Sequence, residues 1–163
     1  MTETVTTILL WFCALACALL GGVYFAFSAF IMRALAETGA AGVAAMNAIN
    51  RVIQRSLFMP LFIGSTLASL ALAVIGLFEL PMLRGVCLIA GGLLYVAGMF
   101  AVTMFCNVPL NNALAEVTAD TRAGTAIWKD YLRRWTRWNH VRTVSCLGAA
   151  ALFIFVLSGP ATG

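Results

Sequence analysis

The chain has 163 residues, of which 63% are hydrophobic and only 10% charged, and its mean hydropathy is +0.99. A soluble domain carries roughly 25% charged residues, so a soluble enzyme or a soluble binding module is excluded. The net charge of +4 calls for no nucleic-acid partner, because juxtamembrane cations beside anionic lipid head groups account for it.

Four stretches carry no charge: 4–32, 56–78, 85–115 and 143–163. Crossing the hydrocarbon core takes about 20 apolar residues, and each stretch holds one such helix. The expected fold is all-α, an integral membrane four-helix bundle forming one domain over residues 1–163. Its spans fall at approximately 5–32, 57–78, 86–106 and 139–157. The N-terminal flank MTET has an acid and no base, unlike a secretory signal, so the first span is read as a mature helix. Ala14, Ala18, Gly22 and Ala26 recur every four residues along it, and such a stripe lets membrane helices approach closely. Tyr24, Phe25, Phe27 and Phe30 crowd around Ser28 near its end.

Residues 40–55 have the composition of a short interfacial helix. Met46, Ile49 and Ile53 share one face, and Asn47, Asn50 and Gln54 form a polar ridge. After the second span, Pro81 marks a short turn. The third span carries Gly91, Gly92 and Gly98 for close contact and ends in "TMFCNVPLNNAL". Pro109 there removes a helical hydrogen bond and crowds the carbonyl of Phe105, which predicts a kink or a stop. Asn107, Asn111 and Asn112 surround the break. A polar turn through Asp120 leads to a helix over 124–138, outside the membrane, that runs on into the fourth span. "SGPATG" is expected to be a frayed tail.

Nine of the ten basic residues lie between spans one and two, between spans three and four or at the start of span four; only Arg84 lies on the other side. Basic loops stay in the cytoplasm. The expectation is a multi-pass protein of a bacterial inner membrane with both termini outside the cytoplasm.

This topology brings unusual polar groups to one layer. "YLRRWTRWNHVRT" at 131–143 holds four of nine arginines and the only histidine. It sits level with Tyr24–Ser28, the Asn47–Asn50 ridge and 103–112. Polar groups at membrane depth are expensive and mark functional sites. Trp135, Asn139, Arg142 and Thr143 share one side of the last helix, and His140 shares another with Thr136. Asn139 and His140 are about 100° apart, so both cannot point straight inward. The set His140, Asn139, Arg142 and Asn107 suits a phenolic or enolate oxygen, with His140 as acid or base. Tyr24, Phe27, Ser28, Asn47, Asn50, Asn111 and Trp135 are the candidate substrate-binding residues. The bland alternative is an aromatic and snorkelling-cation belt, and Arg133, Arg134 and Arg137 belong to it in either case.

One histidine cannot supply the two axial ligands of a typical membrane haem, and the acids are too dispersed for a zinc or di-metal site. Cys13, Cys17, Cys87, Cys106 and Cys146 read as packing residues. A copper site from Cys106, Met104 and His140 has no specific spacing. No metal and no organic cofactor is expected.

At these residues the sequence resembles the anthrone oxygenase-like family of small four-helix bacterial membrane proteins. The matching blocks are "GVYFAFSAFIMRAL", "AAMNAINR", "MFCNVPLNNAL" and "WKDYLRRWTRWNHVRT". The resemblance implies an oxygenase of aromatic polyketides that turns an anthrone's methylene into a quinone carbonyl with O2 as co-substrate and without metal or flavin. The partners it implies are the lipid bilayer and a flat apolar aromatic molecule between walls of Phe25, Phe27, Phe30, Phe58, Phe62 and Phe105, with a homo-oligomer left open. In that scheme His140 takes the methylene proton while Asn139, Asn107 or Arg142 holds the oxyanion. The competing readings are a non-enzymatic membrane subunit or ligand-binding protein, and a copper- or haem-dependent oxidoreductase.

Overall fold

The computed structural model describes residues 2–118 and 121–159. Asp120 and the tail beyond Gly159 lie outside the described residues. These form helix α1 (Thr2–Ala26), a π-helical segment (Phe27–Ile31), α2 (Met32–Glu37), α3 (Ala40–Ile53), α4 (Phe58–Phe78), α5 (Leu83–Leu93), π-helical segments at Leu94–Ala101 and Thr103–Asn107, α6 (Val108–Ala115) and α7 (Arg122–Ser158). There is no strand among the described residues.

Four continuous helical rods, Glu3–Glu37, Phe58–Phe78, Leu83–Ala115 and Arg122–Ser158, are long and apolar enough to cross a membrane. This is the expected four-helix membrane bundle. Rods one, three and four overrun the expected spans, since each continues as helix into the basic end. The last rod is unbroken from 122 to 158, as its sequence implies. It lies against both the first and the third rod, while the second packs on the first and third, so the four close a ring.

Apolar side chains sort by face. Leu10, Cys13, Cys17, Leu20 and Tyr24 are buried inside, while Trp11, Leu15 and Leu19 look outward, where lipid replaces water as their solvent. The stripe of Ala14, Ala18, Gly22 and Ala26 is not the contact line: Ala18 and Gly22 are exposed, and a Cβ on Gly22 would meet nothing. Close approach runs along Cys13, Cys17 and Gly21, where a Cβ on Gly21 would come 3.1 Å from Cys146 Cβ. Sulfur-bearing side chains serve here as the small residues, which a search for Gly and Ala overlooks. Spans two and three approach closely at two levels: a Cβ on Gly76 would lie 2.7 Å from the Gly85 carbonyl near their shared turn, and a Cβ on Gly92 would lie 2.5 Å from the Ser69 carbonyl deeper in the bundle.

The buried hydroxyls of Ser65, Tyr95 and Tyr24 are paired inside the bundle, where a bilayer offers no water to take their place. Ser65 Oγ lies 2.7 Å from Tyr95 Oη and also 2.6 Å from the Leu61 carbonyl. A hydroxyl has one proton, so Ser65 donates to Leu61 and Tyr95 donates to Ser65. The Tyr24 hydroxyl donates to Met99 Sδ at 3.7 Å.

Pro109 does not stop the third rod. The Thr103–Asn107 segment before it is π-helical, and Pro109 occupies the first turn of α6. A π-turn widens the helix by one residue, which relieves the crowding of the Phe105 carbonyl that an α-helix would impose. Helix α3 also departs from a purely interfacial helix. Val43 and Met46 are buried with Met32, Leu114, Trp128, Tyr131 and Trp135 in a second core. The helix therefore caps the basic end of the bundle.

Of the three glycines expected to allow close contact in span three, Gly98 is the tightest: a Cβ there would collide with Ser145 Oγ of α7. Replacing Gly98 with Ala overpacks this crossing and should lower stability by about 1–3 kcal/mol. Adding Ser145→Ala should restore part of the loss, as read by thermal unfolding in detergent.

Candidate functional site

Arg142 is 5% exposed and lies on the inner face of α7, where the charge-free part of the last rod begins. No carboxylate pairs with it among the described residues; the ion pairs there involve Arg84, Arg133 and Arg134. Two hydrogen bonds hold the guanidinium. One Nη donates to Asn139 Oδ1 at 2.7 Å, and the other donates to Thr103 Oγ1 at 3.4 Å. Its Cζ stands 4.3 Å from the ring centroid of Tyr24 and 4.9 Å from that of Trp135. Such cation–π contacts contribute up to about 2 kcal/mol each when desolvated. Removing an ion from water costs several kcal/mol even after relaxation. The aromatic faces and amide dipoles offset part of that, and Nε has no partner at all.

Asn139 fixes the guanidinium. Its carboxamide is fully buried. Nδ2 donates to the Tyr24 carbonyl at 2.6 Å and to Ser28 Oγ at 2.7 Å, which leaves Oδ1 facing Arg142. These contacts also settle which end of the amide is nitrogen, since only NH2 can donate to a carbonyl. Ser28 sits within the first π-helical segment, and Thr103, which accepts from Arg142, begins the third. Irregular turns of this kind recur at functional sites.

In front of Arg142 lies a cavity of about 380 Å³. Its walls include Tyr24 and Phe27 of the first rod, Phe58 and Phe62 of α4, Thr103, Met104 and Asn111 of the third rod, and Trp135 of α7. Helix α3 closes it from the basic end with Ile49, Asn50, Ile53 and Gln54. Asn50 Nδ2 is buried without a partner. Gln54 and Met104 are exposed and mark the mouth, where the second and third rods part. Among the described residues no histidine, lysine or carboxylate lines this cavity. It is a predominantly apolar slot with one cation on its wall.

The inner face expected from helical spacing is therefore found, with Trp135, Asn139, Arg142 and Thr143 all buried. Of the candidate substrate-binding residues, Tyr24, Phe27, Asn50, Asn111 and Trp135 line the cavity. Others do not. His140 is exposed and lies on the opposite side of α7, in a separate groove with Ser28, Met32 and Arg33. The 100° step between neighbours puts Asn139 inside and sends His140 out. Asn107 is buried behind the site, donating to the Trp135 carbonyl at 3.2 Å, and braces α7 without lining the cavity. Asn47 donates to the Leu114 carbonyl at 3.4 Å and ties α3 to α6. Ser28 reaches the site only through Asn139.

Phe25, Phe30 and Phe105 are exposed on the bundle surface, so only Phe27, Phe58 and Phe62 of the expected aromatic walls serve the cavity. Met104 and His140, two of the three imagined copper ligands, line different hollows. No group of three or more His, Cys, Asp or Glu residues assembles among the described residues. Thr103 was not anticipated as a contact of Arg142. Its signal is faint: a hydroxyl one turn before Asn107, just ahead of a proline break.

Replacing Asn139 with Ala removes the tether of Arg142 together with two bonds to the first rod. With hydrogen bonds to charged groups contributing about 1.5–3 kcal/mol, the variant should lose roughly 2–4 kcal/mol in denaturant unfolding. Replacing the exposed His140 with Ala should change stability by less than about 0.5 kcal/mol.

No curated protein and no solved structure matches the chain. The family model described as anthrone oxygenase matches residues 52–152, which takes in α4, the third rod and α7 through Arg142. That is well over half of the sequence, and the chain belongs to the anthrone oxygenase family.

Proposed function

We propose that this protein is a membrane oxygenase that binds a flat, apolar, phenol- or anthrone-like molecule as its oxyanion and lets that anion react with O2. The observation that carries this reading is Arg142: a buried guanidinium on the wall of an apolar cavity, with an unpartnered Nε and no carboxylate partner among the described residues. A site built this way favours a ligand that brings the negative charge itself.

The chemistry follows from the donor set. A substrate carbonyl placed against Arg142 accepts hydrogen bonds that strengthen as charge builds on it. The methylene opposite that carbonyl is acidic because its carbanion is a phenolate drawn differently. No basic side chain lines the cavity besides Arg142, so the proton leaves to water at the Gln54 mouth, and the protein's contribution is stabilisation of the anion. The anion then gives one electron to O2, and the carbon radical combines with superoxide to form a peroxide. Loss of water leaves the ketone. One oxygen atom ends on carbon, and the other leaves as water with the two methylene hydrogens.

In this reading His140 has no part in the reaction, Asn139 positions the guanidinium, and the rings of Tyr24, Phe27, Phe58 and Phe62 clamp the plane of the substrate. No metal or organic cofactor takes part. The mouth beside Met104 and Gln54 admits the substrate sideways from lipid. Nine basic residues at this end orient it toward the cytoplasm, with both termini on the other side of a bacterial inner membrane.

The test is quinone formation from an anthrone by the purified protein in lipid nanodiscs, with and without chelator. Arg142→Met should lower kcat/KM by about 10²–10³, the loss typical of removing an oxyanion donor, while Arg142→Lys retains part of the rate. His140→Ala should stay within about twofold of wild type, as an exposed residue outside the site would. Unchanged turnover in Arg142→Met would overturn the assignment. Binding without O2 consumption would make the chain a ligand-binding protein, and loss of activity on chelation would replace the anion mechanism with a metal-dependent one.

A further inference from the structure

The second hollow, on the outer side of α7, has a different chemistry from the first. It is a groove between the first rod and α7, floored by Ser28, Met32, Ala36 and Leu132 and rimmed by Arg33, Lys129, Arg133, Arg137 and His140. Lys129, Arg133 and Arg137 recur at intervals of four and therefore rise along one face of α7, with Arg33 opposite. Asp130 engages Arg133 at 2.7 Å and Arg134 at 3.3 Å. Among the described residues no carboxylate pairs with Arg33, Lys129 or Arg137.

The groove also has a direction. Continuing along the same faces away from the cations, the first rod presents exposed Phe25 and α7 presents exposed Val144 and Leu147. An apolar, lipid-facing surface thus runs directly into a cluster of unpaired cations, with His140 at the junction. A ligand matching this gradient is amphipathic, with hydrocarbon chains at one end and a fixed negative charge at the other.

We propose that this groove is a binding site for an anionic phospholipid, its phosphate held among Arg33, Lys129 and Arg137 and its acyl chains lying along Phe25, Val144 and Leu147. His140 offers a ring N–H at the level of the glycerol ester. Basic hollows between membrane helices are a recurrent form of head-group recognition. The groove is separate from the aromatic cavity, because the inner and outer faces of α7 carry the two sets of α7 residues; Ser28, which accepts from Asn139 and lies in the groove floor, touches both. It gives the histidine and the outer arginines a role that the oxygenase reading leaves without one.

The full chain in nanodiscs is tested by native mass spectrometry, titrating phosphatidylglycerol against phosphatidylcholine. Wild type should retain phosphatidylglycerol preferentially. The variant Arg33→Gln/Lys129→Gln/Arg137→Gln should lose that preference by about tenfold or more. A control with the same charge loss elsewhere at the basic end, Arg51→Gln/Arg55→Gln/Arg122→Gln, should keep it. Equal loss in both triple variants would reduce the effect to diffuse attraction and overturn the site, as would a wild type without preference. Equal stabilisation by inorganic phosphate in neutral detergent would also overturn the assignment to lipid. If the triple variant fails to fold, Arg33→Gln and Arg137→Gln singly should each weaken retention, and wild-type retention in both would count against the groove.

Discussion

The structure is organised around a charge in an apolar place. Arg142 cannot give up its proton, and at 5% exposure it has almost no water. Isolated in hydrocarbon it would be strongly destabilising. Everything within reach of it is arranged as partial compensation: the Asn139 carbonyl oxygen, the Thr103 hydroxyl and the faces of Tyr24 and Trp135. None of these carries a formal negative charge. Had the chain needed only a stable bundle, apolar residues in place of Arg142 and Asn139 together would serve as well, since replacing a buried ionic group along with its partners by apolar ones is often neutral or stabilising. The retained, unneutralised guanidinium is therefore best understood through what it can bind.

That requirement reaches outward through the packing. Asn139 can hold the guanidinium only because its amide nitrogen is anchored on the first rod, at the Tyr24 carbonyl and Ser28. Trp135 can present its face only because Asn111 accepts from its indole N–H at 2.9 Å and Asn107 donates to its carbonyl. Of the asparagines flanking Pro109, Asn107 thus supports the site from behind and Asn111 from the cavity wall, and the π-helical segment before the proline allows the third rod to continue far enough to bring them there. Helix α3 completes the enclosure, so that the cavity opens at the side of the bundle near Gln54 and Met104.

Much of this was legible in the sequence. The four charge-free runs specify the four rods, since little else satisfies a backbone in lipid. The intervals of three, four and seven place Trp135, Asn139 and Arg142 on one face. Other features were not legible. Helical arithmetic says that Asn139 and His140 diverge but not which one faces inward; that depends on the rotation of α7 against the first rod, which is set by Cys17, Gly21 and Cys146. The contact line there is sulfur-bearing, so the Ala and Gly stripe misdirects. The π-helical segments have no compositional signature, which is why Pro109 reads as a stop. Chemical habit also favours histidine as the reactive group, whereas here the buried arginine occupies the cavity.

The two faces of α7 divide its polar residues into two environments, one enclosed among aromatic rings and one open to the head-group region. The central claim concerns the enclosed face: Arg142 holds a bound phenolic ligand as its anion. The most direct measurement is the absorption spectrum of a chromophoric anthrone or phenol bound to the protein, titrated with pH. An adjacent opposite charge lowers a pKa by about 1–3 units. The account predicts that the bound ligand ionises at least about one unit lower in wild type than when bound to Arg142→Met. A ligand that stays neutral in both proteins, or ionises at the same pH in both, would contradict it.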